Sequence, residues 1–272
     1  MNKLSLLGTF SRLLLTDTRF FLKALYHYTV EAQGRKIVQQ KHGFSKGLPF
    51  VELLEVVPEI KETLHHYTFL DGVSRITDMA LLKSLCRYYE NCNYLEIGSL
   101  RGESLINIAD AAAQVVSVSL SSEELTQMGY GNFAPMANLF TRNIPNIRHV
   151  PHNSMTLDFS TLNQKFDVIF VDGDHNYAGV KSDTQNAFKM LRDENSVIVW
   201  HDAGNSYETM RYEVLAGILD GCPADAKPFI YRVTNTLCAI YTRKPLKAFY
   251  PTSPQRPTKV FDIEVTAAPF TM

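Results

Sequence analysis

The residues best suited to chemistry are carboxylates and imidazoles that directly follow short apolar runs. The run "FDVIFV" leads into Asp172, Asp174 and His175, and the run "SVIVW" leads into His201 and Asp202. If the two runs are neighbouring parallel strands, their ends lie about 4.8 Å apart at one edge of a sheet. Two strand-end carboxylates could then flank one substrate or share a metal ion. A lone acidic residue in a loop is usually just solvated, but two such strand ends in succession favour a binding or catalytic site.

A third stretch, "YLEIGSLRGESL", places two glycines at the end of another apolar run. Gly98 lets the chain turn sharply and lets a ligand approach the backbone, and Gly102 lets the following helix pack closely. The spacing G-x-x-x-G differs from the G-x-G-x-x-G of dinucleotide sites. Glu96, two residues before the first glycine, suits a ligand with an amine or a sulfonium group. The alternative is an ordinary strand-to-helix turn without a ligand.

These stretches belong to an alternating pattern that begins near residue 74. Short apolar runs alternate with amphipathic helical segments, and the runs are "NYLEIG", "VVSVSL", "IRHV", "FDVIFVDG" and "SVIVWHD". Several runs are apolar almost throughout, which is typical of parallel strands buried on both faces. The alternation predicts an α/β fold with a doubly wound sheet. The last two runs, "PFIYRV" and "LCAIYTR", are joined by a turn so short that it allows only an antiparallel pair.

Three parts of the chain differ in pattern. We expect a helical N-terminal extension or cap at residues 1–73, a core at residues 74–244, and an extended C-terminal tail at residues 245–272. The extension has apolar residues at helical spacing, namely Leu6, Phe10, Leu13, Leu14, Phe21, Leu22 and Leu25. Such helices could pack on the core or on a second subunit of a homo-oligomer, or could lie on a membrane surface. No run reaches the roughly 18 apolar residues of a membrane span.

The composition restricts the partners and the compartment. The formal net charge of −1 comes from 27 Lys and Arg residues against 28 Asp and Glu residues, which argues against a nucleic-acid partner. Four cysteines form no CxxC pair, namely Cys86, Cys92, Cys222 and Cys238. We therefore expect free thiols and a cytoplasmic protein, with a membrane-peripheral location as the alternative.

The three stretches, in this order, resemble class I S-adenosylmethionine-dependent methyltransferases. "FDVIFVDGDHNYAGVKSD" and "VIVWHDAG" are most similar to the branch of macrocin-type sugar O-methyltransferases, over roughly residues 74–242. The resemblance implies a Rossmann-like sheet of seven strands, mostly parallel, with one antiparallel strand near the C-terminal edge. It also implies S-adenosylmethionine as the cofactor.

The resemblance assigns roles to individual positions. Residues that would bind the methionine part of the cofactor are Glu96, Gly98, Ser99 and Gly102, and residues that would hold the adenine are Asn153 and Ser154. Asp172 would lie at the cofactor and substrate edge and, with Asp202, would be a metal ligand. Asp174 matches the general base of the sugar-methylating relatives.

Two positions depart from the family pattern. The second strand usually ends in an acid that holds the ribose, whereas Ser119 lies there in this chain, and Glu123 or Glu124 would have to reach back instead. At position 201 the metal-dependent relatives tend to have a carboxylate, and here it is a histidine. Mg²⁺ prefers oxygen ligands, and an imidazole suits Zn, Fe or Ni better, so His201 argues against Mg²⁺. His201 could equally be a base or a hydrogen-bonding group for the substrate.

We therefore expect an O-methyltransferase that acts on a small molecule or a sugar hydroxyl. Asp174 or His201 would remove the proton of the hydroxyl, with His175 close to the same pocket. Aromatic residues could stack on the acceptor ring, namely Tyr67, Phe69, Tyr207 and Tyr212. Two alternatives stay open. One is the same fold without methyl transfer, as in a hydroxylase-like or inactive relative, and the other is a membrane-peripheral interaction protein.

Overall fold

The computed structural model of the chain describes residue 12 and residues 14–270. Within these residues, eight strands form one sheet in the order β1-β7-β8-β6-β5-β2-β3-β4. The strands are β1 (Phe50–Val51), β2 (Asn93–Ile97), β3 (Gln114–Ser119), β4 (Ile147–Pro151), β5 (Val168–Val171), β6 (Val197–Trp200), β7 (Ile230–Val233) and β8 (Ala239–Tyr241).

The direction of the strands confirms the predicted α/β class. Strands β2 to β6 pair in parallel, and β8 runs antiparallel to both of its neighbours, β6 and β7. The sheet has eight strands rather than the expected seven because the two residues of β1 pair in parallel with β7, with Phe50 opposite Arg232. A two-residue strand after Pro49 is too short for an alternating or apolar pattern to reveal it.

Helices cover both faces of the sheet. They are α1 (Thr18–Lys36), which continues as a π-helix (Ile37–Lys41), and then α2 (Leu53–Val56), α3 (Ile76–Cys86), α4 (Glu103–Ile108), α5 (Ser122–Gln127), α6 (Tyr177–Met190) and α7 (Tyr212–Gly221). Short 3₁₀ helices lie at Gly131–Met136, Phe159–Leu162 and Lys227–Phe229.

Each central strand contributes side chains to two separate cores. On one face, Leu95 and Ile169 pack with residues of α6 and α7. On the other face, Tyr94 and Phe170 pack with residues of α3 and α4. This alternation explains why the runs are apolar almost throughout, since neither face of the strands meets water.

Residues 59–70 carry neither helix nor strand, although the N-terminal extension was expected to be helical there. Backbone groups of this segment form hydrogen bonds with side chains of α4, where a helix would bond to its own neighbouring turns. Asn107 accepts from the backbone N–H of His65 at 2.7 Å and donates to its carbonyl at 2.8 Å, and Glu103 accepts from the N–H of Thr68 at 3.1 Å. The segment is therefore a strap across the start of α4, and this is also the location of His65 and His66.

The C-terminal end of α1 docks on the start of α7. The Glu31 carboxylate accepts the backbone N–H groups of Tyr212 and Glu213 at 2.9 and 3.3 Å, which satisfies two free donors of the α7 N-terminus. Earlier in α1, Leu22 and Leu25 are about half exposed. The predicted apolar residues Leu6, Phe10 and Leu13 lie outside the described residues. None of the described helices combines the length and the apolar character that a membrane span requires.

We expect Gly34→Ala to destabilise the protein by about 1–3 kcal/mol, because a β-carbon at Gly34 would lie 2.5 Å from the backbone oxygen of Tyr212. Helix propensity alone predicts the opposite, a gain of about 1 kcal/mol. Chemical denaturation would measure the change, with the exposed neighbour Gln33→Ala as control. A more stable Gly34→Ala variant would show that α1 does not dock on α7 in this way.

Candidate functional site

The turn after β2 lies directly against the end of β5. Gly98 has a φ of +90°, and a β-carbon there would lie 2.2 Å from the backbone oxygen of Asp172. The N–H of Gly98 also donates to the carbonyl of Val118 at 2.8 Å. Because Gly98 has no side chain, the turn after β2 can lie against the backbone at Asp172. We had expected this glycine to make room for a ligand.

The outer side of this turn is held by the loop before β4. The Ser99 hydroxyl donates to the side-chain oxygen of Asn138 at 2.7 Å, and the N–H of Asn138 donates to the Leu100 carbonyl at 2.8 Å. Gly102 has a φ of +83°, and a β-carbon there would lie 2.7 Å from the Thr141 hydroxyl. Gly102 therefore permits the close packing at the helix start that its position suggested.

Glu96 is completely buried beneath the start of α4. Its carboxyl group accepts the hydroxyls of Ser104 at 2.5 Å and Tyr94 at 2.8 Å. Burial is the main cause that raises the pKa of Glu96 to about 8, and the charge of Asp172 acts in the same direction. Both oxygens are engaged on the α4 side of the sheet, so the geometry gives Glu96 a role in positioning the turn. Its direct contact with a ligand stays a prediction.

An imidazole ring connects three carboxylates at the ends of β5 and β6 and the start of α3. His201 Nδ1 lies 3.1 Å from Asp172 Oδ1 and 3.3 Å from Asp202 Oδ1. Its Nε2 lies 3.1 Å from Asp78 Oδ2. The side chains of His201 and Asp78 are 9% and 0% exposed, so the ring lies in a largely dehydrated position.

The charges in this cluster stabilise one another. Burial lowers the pKa of His201, but the negative charge of Asp172 and the hydrogen bonds to Asp172 and Asp78 outweigh it and hold that pKa well above its usual range. Burial likewise raises the pKa of Asp172, but the His201 charge prevails and the net pKa is lowered. His201 is therefore an imidazolium beside an ionised Asp172.

Asp202 lies between a guanidinium group and an imidazole ring. Its Oδ2 accepts from Arg211 Nη1 at 2.9 Å and lies 3.4 Å from His175 Nδ1. Asp202 has a φ of +53°, a left-handed conformation that is strained for a residue with a side chain and that clusters at functional sites.

The expected metal pair, Asp172 and Asp202, does not fit a divalent cation. Nδ1 of His201 faces one oxygen of each, while Ser74 donates to the second oxygen of Asp172 at 3.2 Å and Arg211 donates to the second oxygen of Asp202 at 2.9 Å. Over the described residues, no group of three or more His, Cys, Asp or Glu side chains could hold a metal ion.

Asp174 lies apart from this cluster, on the exposed loop before α6. Its oxygens accept the backbone N–H of Asn176 at 3.1 Å and the side-chain amide of the same residue. Asn176 in turn caps α6 by accepting the N–H of Gly179 at 2.9 Å. The carboxylate is thus open to solvent and near the helix start, and His175 beside it is 45% exposed.

The residues expected at the adenine and ribose lie at the ends of β3 and β4. The Ser119 carbonyl accepts the N–H of His152 at 2.8 Å. Glu124 accepts the N–H of Asn153 at 3.1 Å and that of Ser121 at 2.9 Å, so both of its oxygens bind backbone. These bonds hold the two strand ends together, and the use of Glu124 for the ribose stays a prediction.

A buried carboxylate that the sequence reasoning missed lies behind this region. Asp183 in α6 is fully buried, and neither of its oxygens has a hydrogen-bond partner among the described residues. Its Oδ2 would lie 3.1 Å from a β-carbon on Gly173, which directly follows Asp172. Burial raises the pKa of Asp183 to about 6, and the nearby Ser154 hydroxyl only partly offsets it.

Two site residues that the sequence analysis did not single out, Asp78 and Asp183, interrupt an apolar pattern in the sequence. Asp78 interrupts the apolar run "ITDMALL", and Asp183 lies on the apolar stripe of α6 between Val180 and Ala187. An acid on a buried face calls for a partner or a function. Arg211 had no such signal, because it lies in a polar loop.

The raised pKa of Asp183 has a consequence for stability. Because the native state binds the proton more tightly than the unfolded chain, whose value is near 3.8, the free energy of unfolding falls as the pH rises to about 6. The side chain of Asp183→Asn does not ionise, so the free energy of unfolding of this variant does not fall for this reason. We expect its stability relative to the unchanged protein to rise on the order of 3 kcal/mol between about pH 4 and pH 7, measured by urea denaturation. A difference that does not change with pH would contradict the buried charge.

Residues 95–203 match a family described as a methyltransferase domain. No curated protein gives a significant match. Among solved structures, the SAH-bound methyltransferase PaMTH1 from Podospora anserina is 16% identical, with a TM-score of 0.45, over 66% of this chain and 83% of that one.

Two bacterial structures are similar at the same level. The O-methyltransferase from Bacillus cereus in complex with SAH is 18% identical, with a TM-score of 0.41, over 64% of this chain and 84% of that one. TomG, the O-methyltransferase from Streptomyces achromogenes involved in tomaymycin synthesis, in complex with SAM, is 17% identical, with a TM-score of 0.41, over 63% and 82%. Structural similarity at these identities and TM-scores does not show which reaction this chain catalyses. The family match covers residues 95–203, a stretch that includes the glycine turn and both acidic strand ends.

Proposed function

We propose that this chain transfers a methyl group from S-adenosylmethionine to a hydroxyl oxygen of a small molecule. The observation that carries the proposal is the carboxylate of Asp172. It is kept ionised at the rim of the sheet, in backbone contact with the Gly98 turn, and its side chain is 18% exposed. A partly buried carboxylate that stays charged favours a cationic ligand beside it.

The charge of the whole cluster supports a ligand with one positive charge. Asp78, Asp172 and Asp202 provide three negative charges, and His201 and Arg211 provide two positive ones. One net negative charge remains at this edge. A sulfonium group would neutralise it without a further ion.

The residues present fit S-adenosylmethionine in two further respects. The turn at residues 98–102 would hold its methionine end, and the backbone near Asn153 and Ser154 would hold its adenine. The unpartnered carboxylate of Asp183 lies beside Ser154 and Gly173, where an amino group of a base could satisfy it. When bound, the cofactor supplies an electrophilic methyl group on sulfur.

Aromatic side chains near the cluster are the candidates for contact with the methyl acceptor. Tyr67 and Phe69 on the strap pack edge to face with ring centroids 4.6 Å apart. These rings suit the flat or apolar face of a phenol or a sugar, as in the sugar-methylating branch. Tyr212 is instead covered by Arg35 of α1, at 4.7 Å from its ring centroid.

Asp174 is the candidate general base of this reaction. Its carboxylate is exposed on the loop that follows Asp172, so it can accept a proton from an acceptor hydroxyl. Both ring nitrogens of His201 face carboxylates, which favours a donor role for His201 over that of a base. Orientation of the acceptor by the surrounding side chains would supply much of the remaining acceleration.

The same fold without methyl transfer is the second candidate. The observation in its favour is the ribose position, where Ser119 ends β3 and both oxygens of Glu124 already bind backbone N–H groups. A chain of this kind would retain the sheet and the imidazolium cluster but would bind the cofactor weakly or not at all.

Binding of the cofactor separates these two functions. We expect calorimetry to show binding of S-adenosylmethionine and of its demethylated product, and Asp172→Asn to weaken the binding of S-adenosylmethionine by at least about tenfold through loss of the charge. The exposed Asp225→Asn serves as the control and should bind as the unchanged protein does. Absence of heat at high ligand concentration would favour the second candidate.

We expect Asp174→Asn to lower turnover by about 10²–10⁴-fold while it leaves the affinity for S-adenosylmethionine within about threefold. The amide keeps the shape of the side chain but cannot accept the proton. Transfer of a labelled methyl group to a panel of phenols and sugars would measure turnover. If turnover of the variant stays within about tenfold, Asp174 is not the base.

A further inference from the structure

The ring of His201 lies between the two carboxylates that the family pattern presents to a metal. One nitrogen, Nδ1, faces both Asp172 Oδ1 at 3.1 Å and Asp202 Oδ1 at 3.3 Å. A divalent cation shared by the two strand ends would have to occupy this same space, because it needs the same oxygens.

We propose that the imidazole ring of His201 takes the position of a metal between Asp172 and Asp202, so that this site works without a resident metal ion. The inference concerns the same edge of the sheet as the proposed function, but it does not require the reaction to be methyl transfer.

The neighbours of His201 fix the ring in this position. Its second nitrogen faces Asp78 Oδ2 at 3.1 Å. Asp78 is itself held by the backbone N–H groups of Leu237 and Arg75, each at 2.9 Å. The carboxylate is fully buried and cannot turn away without leaving two donors unpaired. The position of the ring is therefore set by α3 and by the loop before β8.

The remaining oxygens of the two carboxylates also have partners. Arg211 binds the second oxygen of Asp202 at 2.9 Å. The Ser74 hydroxyl donates to the second oxygen of Asp172 at 3.2 Å. A metal ion would have to displace His201 and would still meet the guanidinium of Arg211, so the oxygens that it needs are already occupied.

The arrangement gives His201 a positioning role. Its Nδ1 faces both strand-end carboxylates and sets the distance between the ends of β5 and β6 at the point where a substrate would bind. A histidine can do this because one ring nitrogen faces the strand ends while the other faces Asp78.

Metal binding by the purified full chain tests this inference. Electron paramagnetic resonance of Mn²⁺, with equilibrium dialysis of Zn²⁺, would count bound ions. We expect no stoichiometric binding by the unchanged protein. We expect His201→Asp, which exchanges the ring for a carboxylate, to bind one Mn²⁺ per chain at least roughly tenfold more tightly.

The matched control is His175→Asp, which adds a carboxylate beside Asp202 but leaves His201 in place. It should bind Mn²⁺ no better than the unchanged protein. One stoichiometric Mn²⁺ or Zn²⁺ in the unchanged protein, or no gain in a folded His201→Asp variant, would overturn the inference.

The measurement on the unchanged protein covers a variant that fails to fold, because one bound ion per unchanged chain would overturn the inference by itself. Neither readout depends on turnover, so a failure of the methyl-transfer proposal would be seen separately.

Discussion

Pairing of buried charge at the carboxyl edge of the sheet is the constraint on which the rest of the site depends. Three carboxylates, on Asp78, Asp172 and Asp202, come together where little water can reach them, and such a group is stable only if cations lie among them. His201 supplies one from the end of β6, and Arg211 supplies another from the loop before α7. The helix α3 and the strands β5 and β6 are therefore joined by electrostatics as well as by their apolar faces.

The backbone around this cluster is shaped to bring it together. Gly98 lets the turn after β2 lie against the backbone of Asp172, and Asp202 adopts a left-handed conformation that directs its carboxylate to His201 and Arg211. The strap at residues 59–70 is held by polar side chains of α4 rather than by an apolar core of its own. The rigid part of the site thus lies on strand ends, and the part that would meet an acceptor lies on loops, as is usual for α/β proteins.

The sequence was sufficient for the sheet and for most of the strand-end residues. Runs that are apolar on both faces predicted parallel strands, and the short turn before β8 predicted the antiparallel one. The sequence did not reveal features that are too short to show a periodicity or that depend on residues far away in the chain. The two residues of β1 have no periodicity, the strap takes its hydrogen bonds from α4, and Asp78 reaches His201 from 123 positions away in the chain. The roles of individual site residues, the oligomeric state and the cytoplasmic location stay predictions.

The short strand β1 also decides how the sheet ends. Phe50 exchanges two backbone hydrogen bonds of 2.8 Å with Phe249, so the start of the C-terminal tail lies along the outermost strand. An uncovered edge strand offers unpaired N–H and C=O groups to any other chain. A protein that ended before Phe249 would leave this border of β1 open, and association through added strands would then compete with the native sheet.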